Sequence, residues 1–280
     1  MSYNTYAAST FVPFGRRMIA ARPGHATNRA HGKEATLRML ELKNISWSTP
    51  DGASVLKDIS LTISENKLVV ITGPNGGGKT TLAKIIAGLE SPSSGRLLLD
   101  GKDITGLDVT QRARLGISFA FQQPVRFKGL SVRQLIELAA GGGVDEDRLC
   151  GILSRVGLCA REYVDREVNA TLSGGEIKRI EIATVLARHT RLSVFDEPEA
   201  GIDLWSFTNL IDVFQEMRKS LQGTLMIISH QERILEIADE LVVIGGGELQ
   251  QKGKTADVLP RLLAGKSGCP SCARKEVFAR

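Results

Sequence analysis

Two segments of the chain alternate between apolar and polar residues. Residues 39–46 alternate, and residues 55–63 alternate again after a turn at Asp51-Gly52. Alternation is typical of a strand with one buried face, and an Asp-Gly pair favours a tight turn. Together with a short strand at residues 96–99, these segments predict a small antiparallel sheet.

Other apolar runs are short and continuous instead of alternating. They lie at residues 68–72, 192–195, 224–228 and 241–244, and helical stretches separate the last three. Continuous runs are typical of parallel strands that are buried on both faces. We also expect a strand over residues 115–121. The chain is therefore predicted to be an α/β protein with a parallel core sheet and a flanking antiparallel β-subdomain.

The periodicity becomes helical from about residue 131 to residue 167, and a glycine break at residues 141–143 predicts two separate helices. We predict a helical subdomain over about residues 125–190. It would be inserted within a main domain that covers residues 39–265.

A glycine-rich loop follows the first continuous run and precedes an apolar-periodic segment, which is a strand–loop–helix arrangement. Glycines let backbone N–H groups approach anionic oxygens, and the N-terminus of the following helix adds partial positive charge. Lys79 would place its ammonium near the β- and γ-phosphates of a nucleotide, and Thr80 would offer a hydroxyl to Mg²⁺. The loop consists of Gly73, Pro74, Asn75, Gly76, Gly77, Gly78, Lys79, Thr80 and Thr81.

Two carboxylates end the run at residues 192–195, and a histidine follows the next run. In open α/β sheets, ligands bind beyond the carboxyl ends of the strands. Asp196 is therefore expected to hold Mg²⁺ through water, and Glu197 to orient or deprotonate an attacking water. His230 would hydrogen-bond a γ-phosphate or hold the catalytic base in place.

A second helix start carries phosphate-binding features. Ser173 is predicted to be the N-cap, and Glu176 suits the positive first turn of the helix. A capped helix explains these residues on its own. Gly174 and Gly175 also favour a second phosphate site, which a head-to-tail dimer would use.

The charge of the chain is unevenly distributed. Of 36 basic and 31 acidic residues, six basic and one acidic lie in residues 1–38, so 30 of each remain. A neutral body argues against nucleic-acid binding. No apolar run approaches the roughly 20 residues that span a bilayer. Four cysteines in 280 residues do not form a disulfide framework and fit a reducing, cytoplasmic location.

The motifs together resemble the ABC ATPases over about residues 39–260. By this resemblance, residues 73–81 are the Walker A loop, residues 172–176 the signature and residues 192–197 the Walker B strand. The resemblance implies a P-loop ABC ATPase domain that binds ATP and Mg²⁺, forms an ATP-dependent homodimer and hydrolyses ATP.

The resemblance also implies roles for single residues. Lys79, Gln122, Glu197 and His230 would be catalytic, and Thr80, Gln122 and Asp196 would hold Mg²⁺. Nucleotide contacts would come from the Walker A loop, from Trp47 stacking on adenine, and from Ser173, Gly174, Gly175 and Asp203 of the dimer mate.

Within this superfamily the chain is most similar to the SufC ATPases, which belong to the SUF iron–sulfur cluster assembly system. Residues 113–125 are similar to the Q-loop of that family, and Glu176 and Lys178 stand where transporter subunits usually have Gln. The resemblance implies a SufB- or SufD-like scaffold as partner. The alternative is the ATP-binding subunit of an importer for a metal ion or vitamin, with a membrane permease as partner.

The two ends of the chain leave several interpretations open. Residues 1–38 are basic and have no clear period, so they are a disordered leader, a transit segment or a binding arm. The tail at residues 266–280 contains Cys269 and Cys272. This pair is either inert or redox-labile, or it supplies two ligands to a metal site that a dimer mate or partner completes.

Overall fold

The computed structural model describes residues 38–123, 127–169, 171–188, 190–220 and 223–266, all within one unit, Thr36–Arg280. The predictions for residues 1–37 and for the Cys269 and Cys272 pair lie outside the described residues. No helix in the described ranges is long and apolar enough to cross a membrane.

An antiparallel sheet contains the two alternating segments. Its strands are β1 (Arg38–Ser48), β2 (Ser54–Ser64), β4 (Ser94–Leu99) and β5 (Lys102–Asp103). They lie in the order β2-β1-β4-β5, and each neighbouring pair is antiparallel. The predicted antiparallel β-subdomain is confirmed.

The main sheet contains the continuous apolar runs. Its strands are β3 (Leu68–Thr72), β6 (Ile117–Ala120), β7 (Leu192–Asp196), β8 (Thr224–Ile228), β9 (Glu240–Gly245) and β10 (Glu248–Lys254). The order is β10-β9-β3-β8-β7-β6, with β10 antiparallel and the others parallel. The parallel strands therefore present their carboxyl ends along one edge, which confirms the predicted α/β fold.

Helices cover this sheet and fill the segment between β6 and β7. They are α1 (Lys79–Ala87), α2 (Val109–Arg114), α3 (Val132–Ala140), α4 (Glu146–Arg155), α5 (Ala160–Tyr163), α6 (Gly174–Arg188), α7 (Leu204–Ser220), α8 (Glu232–Glu236) and α9 (Thr255–Lys266). One apolar core includes residues of α3, α4, α6 and α7, and a second joins α1 to the antiparallel sheet.

The strand predicted over residues 115–121 is shorter than expected, and the start of the prediction is wrong. Helix α2 precedes it, with a capping box between Asp108 and Gln111 at its N-terminus. Leu115 is the C-cap of that helix, and Gly116 turns the chain with φ 92° before β6 begins. A capping box fixes a short helix that carries little apolar periodicity.

Candidate nucleotide-binding site

The glycine-rich loop wraps around the side chain of Lys79. The Lys79 ammonium donates hydrogen bonds to the backbone carbonyls of Gly73, at 2.9 Å, and Pro74, at 2.8 Å. The residue is 5% exposed, and burial lowers the pKa of Lys79, opposed by the nearby Glu197 and Asp196 carboxylates. The loop thus fixes a cation at the carboxyl edge of the sheet.

Two glycines of the loop leave no room for a side chain. A Cβ atom on Gly73 would lie 1.9 Å from the Ile244 carbonyl oxygen, and one on Gly78 would lie 2.5 Å from a methyl carbon of Leu56. Both glycines have positive φ, at 133° and 93°. Because these glycines have no side chain, the loop can pack closely against β9 and β2. Such a loop can present its backbone N–H groups to phosphate oxygens.

Thr80 and Asp196 meet across the site. The Thr80 hydroxyl donates to a carboxylate oxygen of Asp196 at 3.1 Å. Asp196 is 2% exposed, and burial raises its pKa, although the Thr80 hydrogen bond opposes this. A hydroxyl and one carboxylate are the kind of partial ligand set with which Mg²⁺ binds beside substrate phosphates.

Glu197 lies between Gln122 and His230. The Gln122 side-chain amide donates to Glu197 Oε2 at 2.5 Å, and His230 Nε2 lies 3.8 Å from Glu197 Oε1. Glu197 adopts φ 45°, which is a strained value for a residue with a side chain. With this backbone conformation directly after β7, the Glu197 side chain lines the same cavity as the phosphate loop.

A cavity of about 360 Å³ brings several of the predicted residues together. It is lined by Val55, Gln122, Glu197 and the loop segment 75–81. A cavity of this size with mainly polar walls and a fixed ammonium suits a nucleotide phosphate chain.

Seven predicted nucleotide contacts are not among the described residues that line this cavity. Two of them, Gly73 and Pro74, belong to the loop itself and accept the hydrogen bonds of Lys79. Trp47 is partly buried on β1, where it pairs with Leu56, the neighbour of the lining residue Val55. The other four are Ser173, Gly174, Gly175 and Asp203. Their predicted roles lie in a dimer mate's site, so they stay predictions.

The signature has a well-defined helix start. The Glu176 backbone N–H donates to the Ser173 hydroxyl at 3.2 Å, and the Ser173 N–H donates back to Glu176 at 2.6 Å. This is the reciprocal capping box, as expected for Ser173. A hydrogen bond from the Tyr163 hydroxyl, helped by Ser173 and Arg166, lowers the pKa of Glu176 to about 2.

Sequence reasoning did not predict the contacts of three charged residues near the site. Lys178 and Glu181 lie on α6 and contact the backbone of Phe121, next to Gln122. Glu199 accepts a 2.5 Å hydrogen bond from Ser229, next to His230, and burial raises the pKa of Glu199. The available signal was a charged pair at i, i+3 on the apolar face of α6.

The family model described as "ABC transporter" matches residues 56–200, which includes the glycine-rich loop, the signature and Asp196-Glu197. This match covers just over half of the chain. The chain belongs to the ABC transporter family. It binds ATP and hydrolyses it, as ABC ATPase domains do.

Individual relatives agree with this assignment. An uncharacterised ABC transporter ATP-binding protein of Methanocaldococcus jannaschii is 37% identical over 79% of this chain and 90% of its own length. The sulfate/thiosulfate import ATP-binding protein CysA of Synechocystis is 32% identical over 78% of this chain, which spans only 61% of that relative.

A solved structure shows the same fold. It is a dimeric ATP-binding cassette in a post-hydrolysis state with ADP and phosphate, and it aligns with a TM-score of 0.70 at 25% identity. The alignment covers 78% of this chain and 99% of the cassette. The fold of the described residues is therefore that of an ABC cassette.

Proposed function

We propose that this chain is the ATP-binding subunit of an ABC importer, working on the cytoplasmic side with a membrane permease. The observation that carries the proposal is the similarity to a relative named as an import ATP-binding protein, over 78% of this chain.

Each subunit of a homodimer would bind one Mg·ATP in this proposal. Lys79 and the backbone of the loop at residues 73–81 hold the phosphates, and Thr80, Asp196 and Gln122 hold Mg²⁺. Glu197 activates water, and His230 contacts the γ-phosphate. The proposal is supported by the cavity that Lys79, Thr80, Gln122 and Glu197 line, and by the Thr80–Asp196 and Gln122–Glu197 hydrogen bonds.

Ser173, Gly174, Gly175 and Asp203 would complete the site of the dimer mate, and Trp47 would stack on adenine. The capped N-terminus of α6 supports this, because helix N-termini attract phosphate. The dimeric cassette with ADP and phosphate supports a dimer for this fold.

An apolar groove offers a surface for the partner. It has a volume of about 380 Å³ and is lined in part by Phe119, Phe121, Phe127, Leu138 and Ile180. Phe127 is 39% exposed and Leu138 is 67% exposed, so large apolar side chains face solvent, and the groove residue Phe121 directly precedes Gln122. A partner contact here would be sensitive to nucleotide-dependent movement of Gln122.

A second candidate function is that of a SufC-like ATPase for a soluble SufB- or SufD-like scaffold. The observation that favours it is the signature, where Glu176 and Lys178 replace the usual Gln residues. Both side chains make hydrogen bonds within the chain: Glu176 accepts one from the Tyr163 hydroxyl, and Lys178 donates one to the Phe121 carbonyl.

Affinity purification from the native host decides between these candidates. The importer proposal predicts a multi-span membrane protein, recovered only from detergent extracts, and Phe127→Ala should lower its yield. Val109→Ala is the matched control, because Val109 is 43% exposed on α2 and does not line the groove. Recovery of a SufB- or SufD-like protein without detergent would overturn the importer proposal and support the second candidate.

A further inference from the structure

Both backbone groups of Phe121 are held by side chains of α6. The Phe121 N–H donates to Glu181 Oε1 at 2.8 Å, and the Lys178 ammonium donates to the Phe121 carbonyl. The same ammonium lies 3.5 Å from the Gln122 carbonyl. We call this arrangement of Lys178, Glu181 and the Phe121 backbone the α6 clamp.

The two side chains of the clamp are charged and largely withdrawn from water. Lys178 is 1% exposed, the Glu181 side chain is 15% exposed, and their charged atoms lie 3.1 Å apart. A buried ion pair is seldom more stable than apolar residues of similar volume, because both charges must leave water. We therefore expect this pair to matter less for the stability of the fold than for the position of the Phe121 backbone, which it holds against α6.

The residue that follows the clamped Phe121 backbone lines the proposed catalytic cavity. Gln122 follows Phe121, lines the cavity and donates its 2.5 Å hydrogen bond to Glu197. The clamp residues lie on the helix that the Ser173 capping box begins. A continuous series of contacts thus connects α6 to the Phe121 backbone, and Gln122, the next residue, to Glu197.

We infer that Lys178 and Glu181 are positioning residues for ATP hydrolysis, which hold Gln122 in place relative to Glu197. The inference rests on the proposed role of Gln122 and is independent of the partner's identity.

Two neutral double variants test the clamp. Lys178→Met with Glu181→Gln removes both charges, keeps an acceptor for the Phe121 N–H and removes the donor to its carbonyl. We expect kcat to fall about tenfold with KM for ATP changed by less than about twofold, since the phosphate contacts are intact. Lys178→Gln with Glu181→Gln is the matched control, because Gln has the length of Met and restores a donor.

The control should recover most of the lost kcat, and equal kcat values for the two double variants would overturn the inference. Gln122→Ala alone should also lower kcat, and adding it to the Met variant should cost nothing further, because the clamp acts through Gln122. A wild-type kcat for Gln122→Ala would overturn the role of Gln122 and the clamp with it. Full additivity would overturn the clamp alone.

A measurement on the unaltered protein guards against variants that fail to fold. Amide hydrogen exchange followed by NMR reports on the Phe121 N–H directly. The clamp predicts exchange at least about tenfold slower than in an unprotected peptide. Exchange at the unprotected rate would overturn the clamp.

Discussion

Gln122 and Glu197 are 75 residues apart in the chain, and the Gln122 amide lies 2.5 Å from the Glu197 carboxylate. They meet because β6 and β7 are neighbouring parallel strands, and each residue follows the carboxyl end of its strand. Such an edge is where open α/β sheets bind ligands. The contact places the proposed water-activating carboxylate beside a group that can sense Mg²⁺ or the γ-phosphate.

Lys79→Met should weaken ATP binding, because it removes the ammonium around which the loop is folded. One charge-assisted contact to phosphate corresponds to an increase in Kd of about 10- to 100-fold. Titration with a fluorescent ATP analogue measures this. Lys102→Met, a change at an exposed residue of β5, should leave Kd unchanged, and equal affinities for the two variants would contradict the role of Lys79.

Gly73→Ala should destabilise the protein severely. The new methyl group would lie 1.9 Å from the Ile244 carbonyl oxygen at φ 133°, so the loop must move from β9. We expect a loss of at least about 3 kcal/mol in the free energy of unfolding.

Gly76→Ala is the matched control for that substitution. Gly76 also has positive φ, at 75°, but nothing lies within 4 Å of an added Cβ. Its cost should be only about 1 kcal/mol. Urea unfolding compares the two variants, and similar losses would refute the close-approach argument.

Glu176→Gln should reduce stability at pH 7 and have little effect near pH 2. The pKa of Glu176 is about 2 in the folded protein and 4.5 without these contacts, so folding favours the ionised form. This contribution is complete above about pH 5 and is lost as the pH falls through about 2.

The expected loss at pH 7 is about 1 kcal/mol, reduced by solvent screening. The single carbonyl oxygen of Gln can still accept the Ser173 N–H, but its NH2 group would then face the Tyr163 hydroxyl. The part of the loss that varies with pH therefore reports on charge. Urea unfolding at several pH values measures the effect. A loss that is constant with pH would contradict it.

The local motifs of the site could be predicted from sequence because each lies in one short segment. The loop at residues 73–81 contains its own glycines, cation and helix start, and residues 192–197 contain a buried strand and its terminal carboxylates. The periodicity of these strands also predicted the order of helices and strands in the α/β fold. Such signals do not depend on which elements pack together.

Contacts between distant segments could not be predicted in this way. Lys178 finds the Phe121 carbonyl 57 residues away only after α6 packs beside β6. Arg112 is similar: α2 is short, yet this buried side chain donates to the Ile85 and Ile86 carbonyls at the end of α1. From sequence alone, Arg112 would be interpreted as an exposed basic residue. Its burial could not be predicted because its acceptors are backbone carbonyls of another helix.

The most direct test of the hydrolytic site is Glu197→Gln, studied by size-exclusion chromatography with light scattering and by phosphate release. Gln keeps the size and hydrogen bonding of Glu197 but cannot activate water as a carboxylate does. The account predicts that the variant binds Mg·ATP, releases phosphate at least about 100-fold more slowly and elutes as a persistent dimer with Mg·ATP. Phosphate release at the wild-type rate, or a monomer that still binds ATP tightly, would contradict it.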